Sequence, residues 1–332
     1  MSDHSSGLAH GYPYLFDRQA LRAQLAVVDR IPGVAKPDPI LKVSNMEREF
    51  GGLKAVDVRH LEVQRGAITA LIGPNGAGKT TFFNLITGFD RPSASHSGPT
   101  GWEFNGRSLK HTGAATVARS GMVRTFQLTK VLSRMTVVDN MMLGAQDQPG
   151  EGFLLSFLRP VWGPRDKAIR ERALELLQRF KLYEKKDDYA GSLSGGQRKL
   201  LEMARALMSN PSLVMLDEPM AGVNPALTQS LLDHVQELRD DGTTVLFVEH
   251  DMHMVRFISD WVVVMAEGRI VAEAPPAEVM KDQAVIDAYL GAHHDTDLGD
   301  DALLAEGESL DALVAQGAGQ ITRRGRGARQ DG

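Results

Sequence analysis

The sequence predicts an α/β fold: a mostly parallel sheet covered by helices, with a small antiparallel β part and a helical subdomain. Three observations predict it. Short apolar runs (Ala67 to Ile72, Leu213 to Leu216, Thr244 to Val248, Trp261 to Met265) alternate with helical stretches, the rhythm of buried parallel strands. Two longer strand-like segments, Ile40 to Phe50 and Leu53 to Gln64, meet at Gly51-Gly52 and read as an antiparallel pair. From about Leu109 to Gly191 helical patterns dominate, clearest where Ala168, Ile169, Arg172, Ala173, Leu176, Leu177 and Phe180 repeat every 3.6 residues.

Taken in order, residues 1–38 form a partly helical N-terminal extension. Asp17 can cap a helix whose Leu21, Leu25 and Val28 share a face, and Pro32 follows its end. Two readings stand for it: a helix docking on its own domain, or an arm that binds a partner. The main domain spans 39–291. After the third strand comes a glycine-rich turn and a helix of about ten residues that Gly88 can end. Arg91 to Gly101 is a Ser, Pro and Gly loop, and the helical subdomain occupies about 118–195. Residues 292–332 form an acidic, then basic tail, with Asp295, Asp300 and Glu308 ahead of Arg323 and Arg324. Leu303, Leu310, Leu313 and Val314 give it one weak helical face, so it reads as a flexible tail or as a docking or regulatory element.

With 332 residues, 42% of them hydrophobic, the chain can bury a substantial core without staples. The longest apolar run, Trp261 to Ala266, falls far short of the ~20 residues of a membrane-spanning helix. Leu25 to Val28 is likewise too short for the apolar segment of a secretion signal. No cysteine occurs, which excludes disulfides, thiolate metal sites and cysteine nucleophiles. A net charge of −5 argues against nucleic acid as a partner. Glycine is in excess, 33 residues, and it clusters where backbone must approach a ligand.

The main cluster is Gly73, Pro74, Asn75, Gly76, Ala77, Gly78, Lys79, Thr80 and Thr81, a G-x-x-x-x-G-K-T run between an apolar strand and a helix. Phosphate oxygens need many donors at close range, and such a loop lets backbone N–H groups converge on them at the positive end of the helix. Lys79 then reaches the β- and γ-phosphates of ATP, and the Thr80 hydroxyl ligates the bridging Mg²⁺. The Leu213–Leu216 strand ends in Asp217 and Glu218. Asp217 is placed to bind Mg²⁺ through water and Glu218 to act as general base towards the attacking water. A third element, Leu193-Ser194-Gly195-Gly196-Gln197, is a helix start with a hydroxyl and two unobstructed amides, a second place for an anion.

That third element resembles the signature sequence of ABC-type ATPases, so the expected fold is a P-loop NTPase core of the ABC ATPase kind. The resemblance covers roughly residues 40–290. It implies that Ser194, Gly195, Gly196 and Gln197 contact the γ-phosphate held by an opposite subunit, identical or related, so that two chains form two composite sites. It also implies roles for three single residues. Gln127 resembles the glutamine that senses Mg²⁺ and water, His250 the switch histidine on the γ-phosphate, and Phe50 the aromatic that stacks on adenine. One departure stands out: Ala221-Gly-Val-Asn224 replaces the family's usual Ser-Ala-Leu-Asp, and neutral Asn224 cannot make the same charge-assisted contacts across a dimer.

Longer stretches, Phe50-Gly-Gly-Leu-Lys-Ala-Val56, Arg124-Thr-Phe-Gln127, Leu200-Leu-Glu-Met-Ala-Arg-Ala206 and Glu249-His-Asp-Met252, resemble the ATP-binding subunits of branched-chain amino-acid importers. So does the closing Ala288-Tyr-Leu-Gly291. The resemblance implies an ATP hydrolase lying peripherally on the cytoplasmic membrane face. It would drive two permease chains, docked on the helical subdomain and fed by an extracytoplasmic solute-binding protein, for branched-chain amino acids or an amide- or urea-type solute. The ATPase of an ABC exporter is the alternative, and a soluble non-transport ABC ATPase a more distant one.

Overall fold

The computed structural model describes residues 18–125, 131–146 and 163–293. Two sheets organise it. β1 (Pro39–Phe50) and β2 (Leu53–Gln64) pair antiparallel across the Gly51-Gly52 turn, where both glycines have positive φ, a region closed to most side chains. β4 (Gly101–Phe104) adds to the other edge of β1, and β5 (Arg107–Ser108) to β4, giving the order β2-β1-β4-β5.

The second sheet runs β10-β9-β3-β8-β7-β6. Its members are β3 (Ile68–Ile72), β6 (Met122–Arg124), β7 (Leu213–Asp217), β8 (Thr244–Val248), β9 (Trp261–Ala266) and β10 (Arg269–Ala274), parallel except for β10. Every residue of β3, β7 and β8 is buried, which is why these strands read as unbroken apolar runs. β6 lies inside the stretch read as helical; at three residues it is too short to show any period.

Between the sheets lies α2 (Lys79–Ile86), with Phe82, Phe83, Leu85 and Ile86 all buried in one core with Leu41, Val43 and Val56 of the antiparallel pair. Truncating any of these to Ala would cost about 2–5 kcal/mol. α3 (Ala114–Arg119) leads into β6. α4 (Val137–Met142) is capped by the Thr136 side chain, and α5 (Gly163–Arg179) matches the predicted 3.6-residue repeat. α6 (Gly195–Ala206), α7 (Pro225–Asp240), α8 (Met252–Ile258), α9 (Pro276–Val279) and α10 (Gln283–His293) complete the described α-helices.

The first helix, α1 (Arg18–Ala26), docks on its own domain: Leu21 and Leu25 join the same core. Arg18 and Arg22 approach Asp260, and Arg30 pairs with Glu278. Beyond it, Lys36 Nζ donates to Glu273 Oε2 at 2.7 Å with both side chains almost fully buried. Glu273 also accepts the Gly33 and Val34 amides and the Trp261 indole N–H. The chain's contacts divide it at Ala288; of the second unit, Tyr289–Gly332, the described part is the end of α10. Asp17 and the weak helical face around Leu310 lie outside the described residues.

Candidate functional site

The loop from Gly73 to Gly78 leaves the end of β3 and opens α2. Two of its glycines are demanded by the chain itself. A Cβ on Gly73 would lie 1.9 Å from the Met265 carbonyl oxygen, and one on Gly78 2.2 Å from that of Ala55. Gly76 takes a positive φ with open space around it. The β9–β10 turn braces the loop from behind, the Gly268 amide donating to the Ala77 carbonyl at 3.0 Å. Asn75, Gly76 and Thr80 are exposed, so the loop presents its tip and the first turn of α2 to solvent. Gly78 is the N-cap and supplies no side-chain acceptor, leaving the first-turn amides to an external anion. Lys79 Nζ donates to the Gly73 and Pro74 carbonyls at 2.7 and 2.9 Å. Burial lowers its pKa, while Glu218 and Asp217 oppose that shift through their charge.

β7 carries Asp217 to the neighbourhood of this loop. Asp217 is buried and receives Arg124 Nη2 on Oδ2 at 2.6 Å, while Arg124 Nη1 donates to Asn84 Oδ1 at 2.6 Å. The next residue, Glu218, has φ +46°, rare for a side-chain-bearing residue and costing about 1–2 kcal/mol. Its amide donates to the Val248 carbonyl, which fixes the turn against β8. Lys199 Nζ, reaching from α6, donates to the carbonyls of Glu218, Pro219 and Ala221 at 3.2, 3.0 and 2.5 Å. Burial lowers the Lys199 pKa against the opposing charges of Glu249, Glu202 and Glu218.

Ser194 starts α6 with a reciprocal capping box: its hydroxyl accepts the Gln197 amide, and the Gln197 side chain accepts the Ser194 amide. Ser194 and Gly195 are exposed. The two glycines differ. A Cβ on Gly196 would meet Leu227 Cδ2 at 1.8 Å, whereas one on Gly195 meets nothing within 4 Å among the described residues. Asn224, the departure from the usual Asp, caps α7: its Oδ1 accepts the Leu227 amide at 2.9 Å, with Pro225 at the first helical position. Capping needs an acceptor and no charge, so the helix start is kept without the carboxylate.

His250 follows β8 with its side chain 67% exposed. Beneath it Glu249 is buried and accepts the His250 and Met220 amides, tying His250 to the loop after Glu218. Burial raises the Glu249 pKa. Phe50 is 48% exposed at the end of β1, with the Arg48 guanidinium 4.4 Å from its ring centroid. Gln127 lies outside the described residues.

Reading the sequence left Arg124, Lys199 and Glu249 without roles of their own. Arg124 meets Asn84 and Asp217 through the fold, 40 and 93 positions away, and the carbonyl acceptors of Lys199 likewise leave no trace in sequence.

The residues fit a nucleotide with a hard cation. The loop offers uncapped amides, a glycine tip and an ammonium, the donors that phosphates require. Thr80 and Asp217 are oxygen donors, and among the described residues no group of three or more His, Asp or Glu could hold a metal alone. Such a donor set suits Mg²⁺, which is held by one or two protein oxygens plus phosphate and water.

Comparison with known proteins agrees with this geometry. The family described as ABC transporter matches residues 56–221, and the one described as branched-chain amino acid ATP-binding cassette transporter matches 269–295. The chain is 39% identical over 253 residues to the probable branched-chain amino acid transport ATP-binding protein LivG of Archaeoglobus fulgidus, covering 76% of this chain and 96% of that one. It is 39% identical over 255 residues to the high-affinity branched-chain amino acid transport ATP-binding protein BraF of Pseudomonas aeruginosa, covering 76% and 98%. The solved ADP conformation of MJ1267, an ATP-binding cassette of an ABC transporter, superposes with a TM-score of 0.66 at 38% identity, covering 76% and 99%.

Proposed function

This chain belongs to the ABC transporter family of ATP-binding cassettes, and from that premise we propose that it powers import of branched-chain amino acids or a related amide- or urea-type solute. It is an ATP-hydrolysing transport subunit. The observation that carries the import reading is the match of residues 269–295 to the branched-chain amino acid type, well away from the motifs that all such ATPases have in common.

In this reading the amides of Gly73–Gly78 and the Lys79 ammonium hold the β- and γ-phosphates of ATP. Thr80 and Asp217 would hold Mg²⁺, and Gln127 would sense the cation and the attacking water. The cation, when bound, neutralises charge on the phosphates and so favours attack at the γ-phosphorus. Glu218, held in its turn by the Val248 and Lys199 contacts, takes the proton of the attacking water. His250 donates to the γ-phosphate and Phe50 stacks on adenine.

Ser194 and Gly195, both exposed, serve a second copy or a related subunit, so two chains close around two ATP molecules. ATP binds the closed dimer better than ADP does, and that difference in affinity drives the permeases. Two permease chains dock on the helical subdomain (about 118–195), supplied by an extracytoplasmic solute-binding protein, with the cassette on the cytoplasmic membrane face. Among the described residues no helix is long and apolar enough to cross a membrane, which accords with a peripheral seat. Capture of tagged Glu218→Gln protein with ATP from detergent-solubilised membranes, followed by mass spectrometry, tests the assembly. Recovery of two permeases and a related ATPase supports it; recovery of exporter subunits or of soluble partners alone overturns the import reading.

A further inference from the structure

Arg124 ends β6 one position before the chain leaves the sheet, and its guanidinium joins two elements of the phosphate site. One fork reaches Asp217 Oδ2 at 2.6 Å and the other Asn84 Oδ1 at 2.6 Å, with the cation 5.5 Å from the Phe83 ring centroid. The ion pair is shut away from water, the two side chains being 5% and 3% exposed. A buried pair of this kind gains little net stability, because desolvation offsets most of the attraction; what it supplies is a fixed arrangement. Asn84 stands four residues after Thr80 on α2, one turn along the same face. Arg124 therefore spans from the residue one turn beneath Thr80 to Asp217, and the two oxygen donors assigned to Mg²⁺ are registered against each other through it.

The pairing has an electrostatic side as well. A carboxylate awaiting a divalent cation already carries a full positive counter-charge on one oxygen. That charge repels a second cation in a buried setting, where screening is weak. The phosphates of ATP reverse the balance, because they bring several negative charges to the same place. We propose that Arg124 is a positioning residue for the metal side of the site: it fixes Asp217 through Oδ2 relative to Thr80 and depresses affinity for a divalent cation in the absence of nucleotide, so that metal and ATP are held together. This rests on the reading of Thr80 and Asp217 as the metal-side donors.

The test uses the full-length protein with Mn²⁺ as a paramagnetic probe, its binding measured with and without ATP, alongside Mg²⁺-dependent turnover. Arg124→Gln should tighten nucleotide-free Mn²⁺ binding at least about tenfold, the size that one positive charge about 6 Å from a divalent ion has even under water-like screening. It should also lower kcat about tenfold or more, since Asp217 loses its anchor, while metal-free ATP binding stays within about twofold. Arg124→Lys keeps the charge and loses the fork, so Mn²⁺ affinity should stay at the wild-type value and kcat should drop about three- to tenfold. A folded Arg124→Gln protein that binds Mn²⁺ no more tightly than wild type overturns the proposal. So does an Arg124→Lys protein with undiminished kcat, which decides the matter if the Gln variant fails to fold. Asp217→Asn separates the premise from the proposal: unchanged Mn²⁺ binding and Mg²⁺ dependence there removes Asp217 from the metal site, and the role of Arg124 falls with it.

Discussion

The two helix starts read as anion sites, those of α2 and α6, are built in opposite ways. At the start of α2 the glycines are required by the chain's own backbone, since Gly73 and Gly78 lie against the Met265 and Ala55 carbonyls. Lys79 is tied to the loop it follows, and Asp217 is already paired with Arg124. At the start of α6 the cap is satisfied internally by Gln197, yet Gly195 faces open space and, among the described residues, no atom needs it to be small. The first half is wired to its own molecule. The second is finished as a helix and open on its outer side, as the proposed contact with a second subunit requires.

The largest effect that could break this contrast lies in the first half. Glu218→Gln should lower steady-state turnover about 10²- to 10⁴-fold with ATP binding retained, as loss of a general base does; unchanged turnover removes Glu218 from that role. Next come the two signature glycines. Gly195→Ala should leave the melting temperature where it is and reduce turnover about 10- to 100-fold, because a methyl group displaces an incoming phosphate by roughly an ångström. Gly196→Ala should do the reverse in kind, destabilising the fold by about 1–3 kcal/mol as Leu227 is pushed aside. Equal behaviour of the pair in thermal unfolding and turnover would erase the distinction drawn above. Lys199→Met should lower turnover about tenfold through loosening of the turn after Glu218, with little change in ATP affinity.

The smallest effect belongs to Glu47 on β1, which gathers the loop after α2. Its buried carboxylate accepts the Ser95 hydroxyl, the His96 amide and the Lys54 ammonium, and these bonds, that of Ser95 foremost, hold its pKa well below the usual 4.5. A carboxyl whose pKa is lower in the folded state stabilises fully above its unfolded value and loses that contribution as pH falls towards the folded one. The stability gap between wild type and Glu47→Gln, about 1–2 kcal/mol at pH 7, should therefore narrow as unfolding is measured at successive pH values below 4.5.

Much of this was legible before any coordinates. Buried parallel strands announce themselves as apolar runs, and the β1–β2 turn carries its paired glycines in plain view, so both sheets and the strand-loop-helix at Gly73 could be read directly. The short strands could not: β4, β5 and β6 have four, two and three residues, fewer than any periodic pattern needs, and they exist because longer neighbours supply their hydrogen bonds. The same holds within the site. Ser194, Lys79 and Asp217 are recognisable from adjacent residues, whereas Arg124 acquires its meaning from Asn84 and Asp217, 40 and 93 positions away.

The buried Glu273 has a practical corollary for anyone wishing to isolate the cassette. Cutting the polypeptide at residue 39, where the motifs begin, would remove the Gly33 and Val34 amides and the Lys36 ammonium and leave that carboxylate facing the Trp261 indole alone. A stranded interior charge costs about 3–5 kcal/mol, a large share of the stability of an ordinary domain. An expression boundary drawn from the motifs would thus yield a shorter protein with a damaged interior, and a cut that spares it lies ahead of α1, whose Leu21 and Leu25 belong to the same core.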